Sequence, residues 1–241
     1  MNVIKVHEKY IHLTPFLKSL PELFKKGEGK VIYKGRNELR EFHVQGIDVV
    51  VKSFRKPNMA NRIIYGTFRS SKAQRSYEHA ELFLKSGIGT PEPIGYLTER
   101  TGFLFQKSYY ACLKSECPYT FNDLLTINFP RYDEIVSTVA EITAKIHDNG
   151  FLHKDYSATN ILFRDDREKI EVEIIDLNRM YFGKIGLEKG CKNFDRLPQT
   201  NRILPILSQT YAQIRNFNPT ECYNRIKQHM YKVECNKKNE L

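Results

Sequence analysis

Long apolar segments, cysteine pairs and internal repeats are all missing from this sequence. No apolar run approaches the roughly 20 residues that a membrane-spanning helix needs. The first twenty residues carry charges and contain no unbroken apolar stretch. We therefore expect neither a membrane span nor a secretory signal, and a cytoplasmic location. No repeat or low-complexity tract occurs, which argues against a solenoid or a biased, disordered chain.

Cysteine usage indicates a reducing compartment. The five cysteines are scattered, no C-x-x-C motif occurs, and an odd number cannot form a closed set of disulfides. Free thiols are the expectation. Apolar residues make up 41% of the 241 residues, enough for a sizeable core.

Positive charge is concentrated in the first half of the chain. Up to residue 105 there are 18 Lys/Arg against 10 Asp/Glu, a net charge of +8, whereas the remainder carries 20 against 18, a net charge of +2. A basic half suits an anionic partner, such as nucleotide phosphates, a nucleic acid or an anionic membrane surface. Solvated surface lysines explain the same numbers equally well.

The first half reads as a sheet with one helix. Residues 30–55 contain the β-rich runs VIYKG, EFHVQG and IDVVVKSF, the last two joined by a glycine-containing turn, which predicts a hairpin. Residues 69–86 carry a helical pattern that ends at Gly87. The segments TPEPIGYL and GFLFQKSYYACLK read as extended strands.

The second half is mainly helical. Ile135, Val139, Ile142 and Ile146 recur at the spacing of an amphipathic helix that Asn149-Gly150 would end. Two short apolar runs separated by the charged turn DDREK predict a small hairpin, and helical stretches follow near 202–216 and 220–233. These signals give an α+β protein.

Three polar residues precede that hairpin at the spacing H-x-D-x-x-x-x-N: His153, Asp155 and Asn160. Phosphoryl transfer needs a carboxylate that orients the attacking hydroxyl and oxygen ligands for Mg²⁺. Asp155 fits the first role, and Asn160 fits the second together with Asp176, which ends the second hairpin strand. We interpret His153 as a structural residue. Upstream, Lys52 follows three valines on a predicted strand and could hold nucleotide phosphates.

The stretch IHDNGFLHKDYSATNIL resembles the catalytic loop of the protein-kinase-like fold. Lys52 resembles the strand lysine of that fold, and Asp176 its magnesium-binding aspartate. The resemblance covers about residues 30–180. It implies two lobes, a nucleotide-binding lobe at 1–115 and a compact, mainly helical catalytic lobe at 116–241, with ATP and Mg²⁺ as cofactors.

Several departures point away from conventional protein kinases. Ser157 stands where those enzymes carry lysine, the metal motif is D-L-N-R, no A-P-E follows, and only 65 residues come after Asp176. The segments KGRNELREF, VVVKSFRKP, SKAQRSYEHAELFLKSGIGTPEPIGY and IIDLNRM resemble the lipopolysaccharide kinase (Kdo/WaaP) family. Its members phosphorylate a sugar hydroxyl of the lipopolysaccharide inner core.

Two features of kinases fit this sequence less well. The glycine-rich loop is reduced to a turn in which Gly35 and Arg36 could meet phosphate, and an ordinary hairpin turn explains it equally. The position of the helix glutamate that should pair with Lys52 is occupied by Ser76. The nearest acids are Glu78 and Glu81, so either the helix register differs or Lys52 has another partner. We assign that role to Glu78, with a solvent-facing Glu78 as the alternative.

The resemblance implies an ATP-dependent kinase with Kdo or heptose as acceptor sugar. Asp155 and Lys52 would be catalytic, Lys52, Gly35, Arg36 and Glu78 nucleotide-binding, and Asn160 and Asp176 metal ligands. The acceptor would be a lipid A-linked glycolipid at the cytoplasmic face of the inner membrane, with peripheral contact to anionic lipid. We expect no nucleic-acid partner. Two alternatives stay open: an atypical RIO-like or tRNA-complex-type serine/threonine protein kinase, and a non-catalytic pseudokinase.

Overall fold

A computed structural model describes residues 2–55, 70–101, 104–166, 168–198 and 200–239, with the backbone alone at 101, 104, 105 and 231–239. Its contacts divide the chain into two compact units. The first comprises Met1–Lys85 and Pro91–Ser115, and the second comprises Ser86–Thr90 and Glu116–Leu241. Compared with our boundary at residue 115, the second unit also takes in the short segment Ser86–Thr90.

An antiparallel sheet forms the centre of the first unit. In the described part of the unit it has six strands, in the order β1-β5-β6-β4-β3-β2. These strands are β1 (Val3–Val6), β2 (Lys30–Lys34), β3 (Glu38–Val44), β4 (Ile47–Phe54), β5 (Pro93–Thr101) and β6 (Leu104–Leu113). The predicted hairpin is confirmed: β3 and β4 pair from Glu38↔Ser53 to Val44↔Ile47.

Two α-helices accompany this sheet among the described residues. The one we predicted, α2 (Lys72–Lys85), buries Ala73, Tyr77 and Phe83. The other, α1 (Thr14–Lys26), was not anticipated from the sequence. Its leucines and Phe24 enter the core that also contains Val49 and Val51 of β4. The same strand carries Lys52 between the buried Val51 and Ser53, so packing fixes the backbone on both sides of this lysine.

Helices dominate the second unit, as the sequence predicted. They are α3 (Tyr132–Asp148), α4 (Leu187–Lys192), α5 (Ile203–Ile214) and α6 (Pro219–Asn239). The apolar pattern of α3 puts Ile135, Val139 and Ile146 in the core. The short strands are β7 (Tyr119–Thr120), β8 (Phe151–His153), β9 (Ile161–Asp165), β10 (Ile170–Ile174) and β11 (Met180–Phe182).

The predicted small hairpin of the second unit is β9 paired with β10, from Ile170↔Asp165 to Ile174↔Ile161. The segment before Thr90 packs against it, because the amide of Ile174 donates to the carbonyl oxygen of Gly89 over 2.9 Å. A Cβ at Gly89 would come within 2.2 Å of the carbonyl oxygen of Val172. Only glycine therefore fits at this position of the G-I-G-T-P-E-P run.

No helix among the described residues is both long enough and apolar enough to cross a membrane. Cys112, Cys117, Cys191 and Cys222 are free thiols, three of them buried.

Candidate active site

The loop after β8 brings Asp155 and Asn160 together. The carbonyl oxygen of Asp155 accepts hydrogen bonds from the Ser157 amide (2.9 Å) and from Asn160 Nδ2 (2.9 Å). Because the amide nitrogen of Asn160 is used in this way, its Oδ1 is the side-chain atom left to bind a cation. Both side chains are half-buried. Both hydrogen bonds that hold the loop therefore end on a backbone oxygen, and the Asp155 carboxylate and Asn160 Oδ1 stay accessible.

His153 connects this loop to Asp176. Its Nδ1 accepts from the amide of Asp155 over 3.1 Å, and its Nε2 lies 3.1 Å from the carbonyl oxygens of both Ile175 and Asp176. This geometry requires the neutral ring with its proton on Nε2. Burial lowers the pKa of His153, which favours the same neutral form. The structural role that we inferred for His153 agrees with these contacts.

Asp176 has an unusual backbone. Its φ is +62°, a left-handed conformation that few residues other than glycine adopt. One residue earlier, the amide of Ile175 donates to the carbonyl oxygen of Asn160 over 3.0 Å, so the end of the hairpin returns to the loop. The Asp176 carboxylate accepts a hydrogen bond from the side-chain nitrogen Nδ2 of Asn178. Such a conformation in a residue with a candidate chemical role is typical of functional sites.

Asn160 and Asp176 offer one amide oxygen and one carboxylate to a cation. Among the described residues no group of three or more His, Cys, Asp and Glu side chains could hold a metal ion, which excludes a metal cage of that composition there. Mg²⁺ that binds nucleotide phosphates needs less, since it keeps waters and takes one or two protein oxygens beside the phosphates. The donor set therefore fits a magnesium ion that arrives with a nucleotide.

Two arginine side chains contact the Asp155 carboxylate. Arg196 Nη1 is hydrogen-bonded to Asp155 Oδ1, and Arg179 Nη1 lies 3.6 Å from Asp155 Oδ2. Arg196 was missed, because it stands 41 residues after Asp155 with no motif to mark it.

A buried hydrogen-bond network supports the loop from below. Asn193 Nδ2 donates to the carbonyl oxygen of His153 over 2.9 Å, and Asn193 Oδ1 lies 3.0 Å from His147 Nε2. His147 Nδ1 in turn accepts from the Tyr211 hydroxyl at 2.8 Å. Burial lowers the pKa of His147 to about 4, with a smaller contribution from the positive charge of Arg215. The histidine is therefore neutral and can donate and accept at the same time.

Gly190 of α4 leaves room for this network. A Cβ at residue 190 would come within 2.1 Å of the Tyr211 hydroxyl oxygen and within 3.5 Å of His147 Nδ1. Any larger residue would displace the hydroxyl that His147 needs. The sequence alone gave no sign of this requirement, because it depends on how closely α4 approaches α5.

In the first unit, Lys52 lies on the central strand β4, opposite Leu39 of β3 and Tyr110 of β6. Its side chain is half-buried, and Nζ is 5.4 Å from the centre of the Phe54 ring. The position agrees with a strand lysine whose stem is shielded and whose ammonium group can reach a ligand.

Gly35 and Arg36 lie in the turn between β2 and β3. The amide of Gly35 donates to the carbonyl oxygen of Asn37 over 3.0 Å, and both Gly35 and Arg36 are exposed. The turn is thus a tight hairpin connection with accessible groups. A phosphate contact at this turn stays a prediction.

In α2, Ser76 occupies the position at which the glutamate partner of the strand lysine was expected, and Glu78 is the acid that we assigned to that role. Ser76 is buried and donates its hydroxyl to the carbonyl oxygen of Lys72, whereas Glu78 is exposed and accepts from Gln74 Nε2 over 2.8 Å. This placement agrees with the solvent-facing alternative for Glu78. Its pairing with Lys52 stays a prediction.

The model of the lipopolysaccharide kinase (Kdo/WaaP) family matches residues 24–217. The chain belongs to this family. It is therefore grouped with phosphotransferases, and the resemblance inferred from its motifs is confirmed. The match includes all seven residues that we assigned to the site: Gly35, Arg36, Lys52, Glu78, Asp155, Asn160 and Asp176.

Solved structures show the same fold. A structure of WaaP in complex with acyl carrier protein has a TM-score of 0.64 at 16% identity, covering 96% of this chain and 99% of that one. The Rio2 kinase from Chaetomium thermophilum, a complex with ADP, Mg²⁺ and phosphoaspartate, has a TM-score of 0.50 at 12% identity, covering 95% and 78%. The search among curated proteins found no match. This family member therefore has the α+β, protein-kinase-like fold that the sequence predicted.

Proposed function

We propose that this protein transfers the γ-phosphate of ATP to a sugar hydroxyl of the lipopolysaccharide inner core, on Kdo or on heptose. Membership of the lipopolysaccharide kinase family supports the reaction class. The observation that carries the proposal is the arrangement of the second unit, where His153 holds the Asp155 loop against the backbone of Asp176.

Asp155 is the acceptor for the proton of the sugar hydroxyl. Its carboxylate is about a third exposed, so a substrate hydroxyl can reach it. In the transfer, the hydroxyl oxygen forms a bond to the γ-phosphorus as the bond to the bridging oxygen of ADP breaks, and the hydroxyl proton moves to Asp155. The hydrogen bond from the Asp155 amide to His153 fixes the backbone from which the carboxylate extends.

Asn160 and Asp176 are the residues that would hold Mg²⁺, through Oδ1 and the carboxylate respectively. When bound with ATP, the ion would neutralise charge on the phosphate oxygens. The hydrogen bond between the Asn160 carbonyl and the Ile175 amide keeps the two ligands on neighbouring ends of the hairpin. The left-handed backbone of Asp176 turns the chain at the point where this carboxylate is needed.

The first unit would supply the other nucleotide contacts. Lys52 would bind the α- and β-phosphates. Its neighbours shield its aliphatic stem, and packing of β4 fixes its backbone. Gly35 and Arg36 would approach the phosphates from the turn between β2 and β3. Glu78 would need a rotamer different from the one hydrogen-bonded to Gln74 in order to reach Lys52.

The lipid-linked acceptor places the reaction at the cytoplasmic face of the inner membrane, where this protein would bind peripherally. The net charge of +8 up to residue 105 supports attraction to an anionic lipid surface. Because this attraction is electrostatic, it should weaken as salt is raised.

The acceptor assay tests the proposal. Purified protein, Mg²⁺ and γ-labelled ATP would be incubated with lipid A that carries Kdo, with the heptose-extended core, and with a mixture of basic and acidic proteins. We expect label in a glycolipid and none in the Asp155→Asn variant. Label in protein alone would favour the atypical protein kinase, and no label transfer at all would favour a pseudokinase.

A further inference from the structure

Asp155 carries more positive charge around it than a proton acceptor requires. Arg196 contacts one carboxylate oxygen and Arg179 lies 3.6 Å from the other. Among these three side chains, two guanidinium groups face one carboxylate. Asp195 also interacts electrostatically with Arg196. The ion pair recorded for Arg179 is with Asp155, which Arg196 already contacts, so Arg179 has capacity for another anion. We call Arg179 and Arg196 the arginine pair.

Backbone contacts hold the arginine pair on opposite sides of Asp155. The amide of Lys154 donates to the carbonyl oxygen of Arg179 over 2.9 Å, and Arg196 forms a β-bridge with Ser157. The pair is thus attached to the residue before Asp155 and to the residue two positions after it. These contacts fix the backbone positions of both arginines beside Asp155, although the residues are far apart from it in sequence.

Neighbouring side chains fix the same backbone segments. Asn178 and Met180, on either side of Arg179, are buried, and Leu197 after Arg196 is buried as well. The guanidinium groups themselves face outward, with exposed side-chain fractions of 57% for Arg179 and 49% for Arg196. A side chain with a fixed backbone and an accessible charged group is suited to binding a ligand. Stability alone does not explain the two ion pairs, because exposed ion pairs add little to it.

We propose that the arginine pair is an anion subsite for the acceptor, which binds a carboxylate or phosphate close to the hydroxyl that receives the γ-phosphate. This inference rests on the proposed function. The planar fork of a guanidinium group binds both kinds of anion through two parallel hydrogen bonds. The nucleotide phosphates have their own cationic partners in Lys52 and Mg²⁺, so the acceptor is the anion that the pair would serve.

The anion subsite also prepares Asp155 for its role. When an acidic group of the acceptor takes a guanidinium group from Asp155, one carboxylate oxygen becomes available to the hydroxyl proton. A neutral sugar leaves both oxygens paired with arginine. The subsite would thus select acidic acceptors both by binding them and by uncovering the proton acceptor.

Binding can be measured without turnover, so the test does not depend on phosphoryl transfer. The first probe pair is the methyl glycoside of Kdo and the same compound with its carboxylate converted to a methyl ester. The second is Kdo-linked lipid A in detergent, with and without its phosphate groups. Titration calorimetry with wild-type protein should show about tenfold tighter binding of the acidic member in at least one pair. The pair that responds identifies carboxylate or phosphate as the anion.

Variants locate the effect. Arg196→Gln and Arg179→Gln should each remove most of that preference, and Arg196→Lys should restore part of it. Arg202→Gln is the matched control, because Arg202 is a similarly exposed arginine of the same unit, paired with Asp133 over 2.8 Å. In turnover, the two glutamine variants should raise the KM of the acidic acceptor about tenfold and leave the KM of ATP within twofold.

Three results would overturn the subsite. The first is a wild-type protein that prefers the acidic member of neither pair. The second is a control, Arg202→Gln, that loses the preference as fully as the variants. The third is a rise in the KM of ATP in place of that of the acceptor. The last result would assign the pair to the nucleotide. A wild-type protein that binds the acidic probes through the pair but phosphorylates no glycolipid would retain the subsite and reject the proposed function.

Discussion

Asn193 supports the carbonyl group of His153 from beneath the active-site loop, with its Nδ2 donating a hydrogen bond over 2.9 Å. His153 in turn holds the amide of Asp155 and the carbonyl of Asp176. One buried asparagine therefore links the helical core to the proton acceptor and to a proposed metal ligand. Because Asn193 and His153 are buried and hydrogen-bonded, the loop has a defined position before any substrate binds.

Replacing Asp155 with asparagine tests the proton acceptor. The amide has nearly the same shape but cannot take up the hydroxyl proton, so we expect kcat to fall at least about a hundredfold. The binding constant of Mg-ATP, measured by calorimetry, should change less than threefold. Asp133→Asn, which breaks an exposed ion pair with Arg202, is the control and should retain normal kcat. A near-normal kcat in Asp155→Asn would remove this residue from the role.

The magnesium ligands can be tested through the metal requirement. Asp176→Asn keeps the size of the side chain and removes its charge, so the Mg²⁺ concentration for half-maximal activity should rise about tenfold or more. Asn160→Ala should act in the same direction. Binding of ATP measured with and without Mg²⁺ gives a second readout, since the increase in affinity caused by the ion should shrink in both variants. An unchanged metal requirement would contradict the assignment.

The sequence predicted the parts of this site that are close together along the chain. His153, Asp155 and Asn160 belong to one loop. The periodic apolar residues predicted α3 before this loop, and two short apolar runs predicted the hairpin after it, which leads to Asp176. Arg196 and Asn193 could not be found in this way. They lie just after α4, where no periodic pattern or motif indicates a contact with a loop about 40 residues earlier in the chain.

The helix α1 was missed for a different reason. Its buried residues Leu17, Leu20 and Phe24 follow Leu13 at the same helical spacing that identified α3. Pro15 and Pro21 obscure this pattern, because proline inside a segment normally argues against a helix. Pro15 lies in the first turn, where its missing amide hydrogen is not needed. Packing against the sheet offsets the cost at Pro21.

Gly190→Ala should destabilise the protein although alanine is the better helix former. The helix preference contributes at most about 1 kcal/mol in favour of alanine. The new Cβ would lie 2.1 Å from the Tyr211 hydroxyl oxygen, and relieving such an overlap costs about 1–3 kcal/mol. We expect the steric effect to win, with a net loss in the free energy of unfolding measured with urea.

Two variants show whether the overlap with Tyr211 is the cause. Gly186→Ala is the matched control, because a Cβ at residue 186 meets no atom within 4 Å, and it should cost less than about 1 kcal/mol. Tyr211→Phe removes the overlapping hydroxyl and also one hydrogen bond to His147. In the double variant Gly190→Ala/Tyr211→Phe, the combined loss should be smaller than the sum of the single losses. Simple additivity would contradict the steric explanation.

His147 should make the folded state sensitive to mild acid. Burial holds its pKa at about 4 in the folded protein, against 6.5 for an unperturbed histidine. Between these values the unfolded chain binds a proton that the folded protein does not, so stability falls as the pH is lowered from 6.5 to 4. The full contribution, present above pH 6.5, is roughly 3 kcal/mol. Below pH 4 both states are protonated and the loss is complete.

The variant His147→Gln separates this proton from other acid effects. Glutamine can still donate to Asn193 but does not titrate, so the free energy of unfolding should start lower at pH 7 and decline less between pH 6.5 and 4.5. The decline will not vanish, because burial lowers the pKa of His153 as well. His12→Gln, at an exposed position, should leave the wild-type decline unchanged. If His147→Gln loses stability with the same slope as wild type, protonation of His147 cannot be the source of acid sensitivity, and His153 or surface carboxylates would have to supply it.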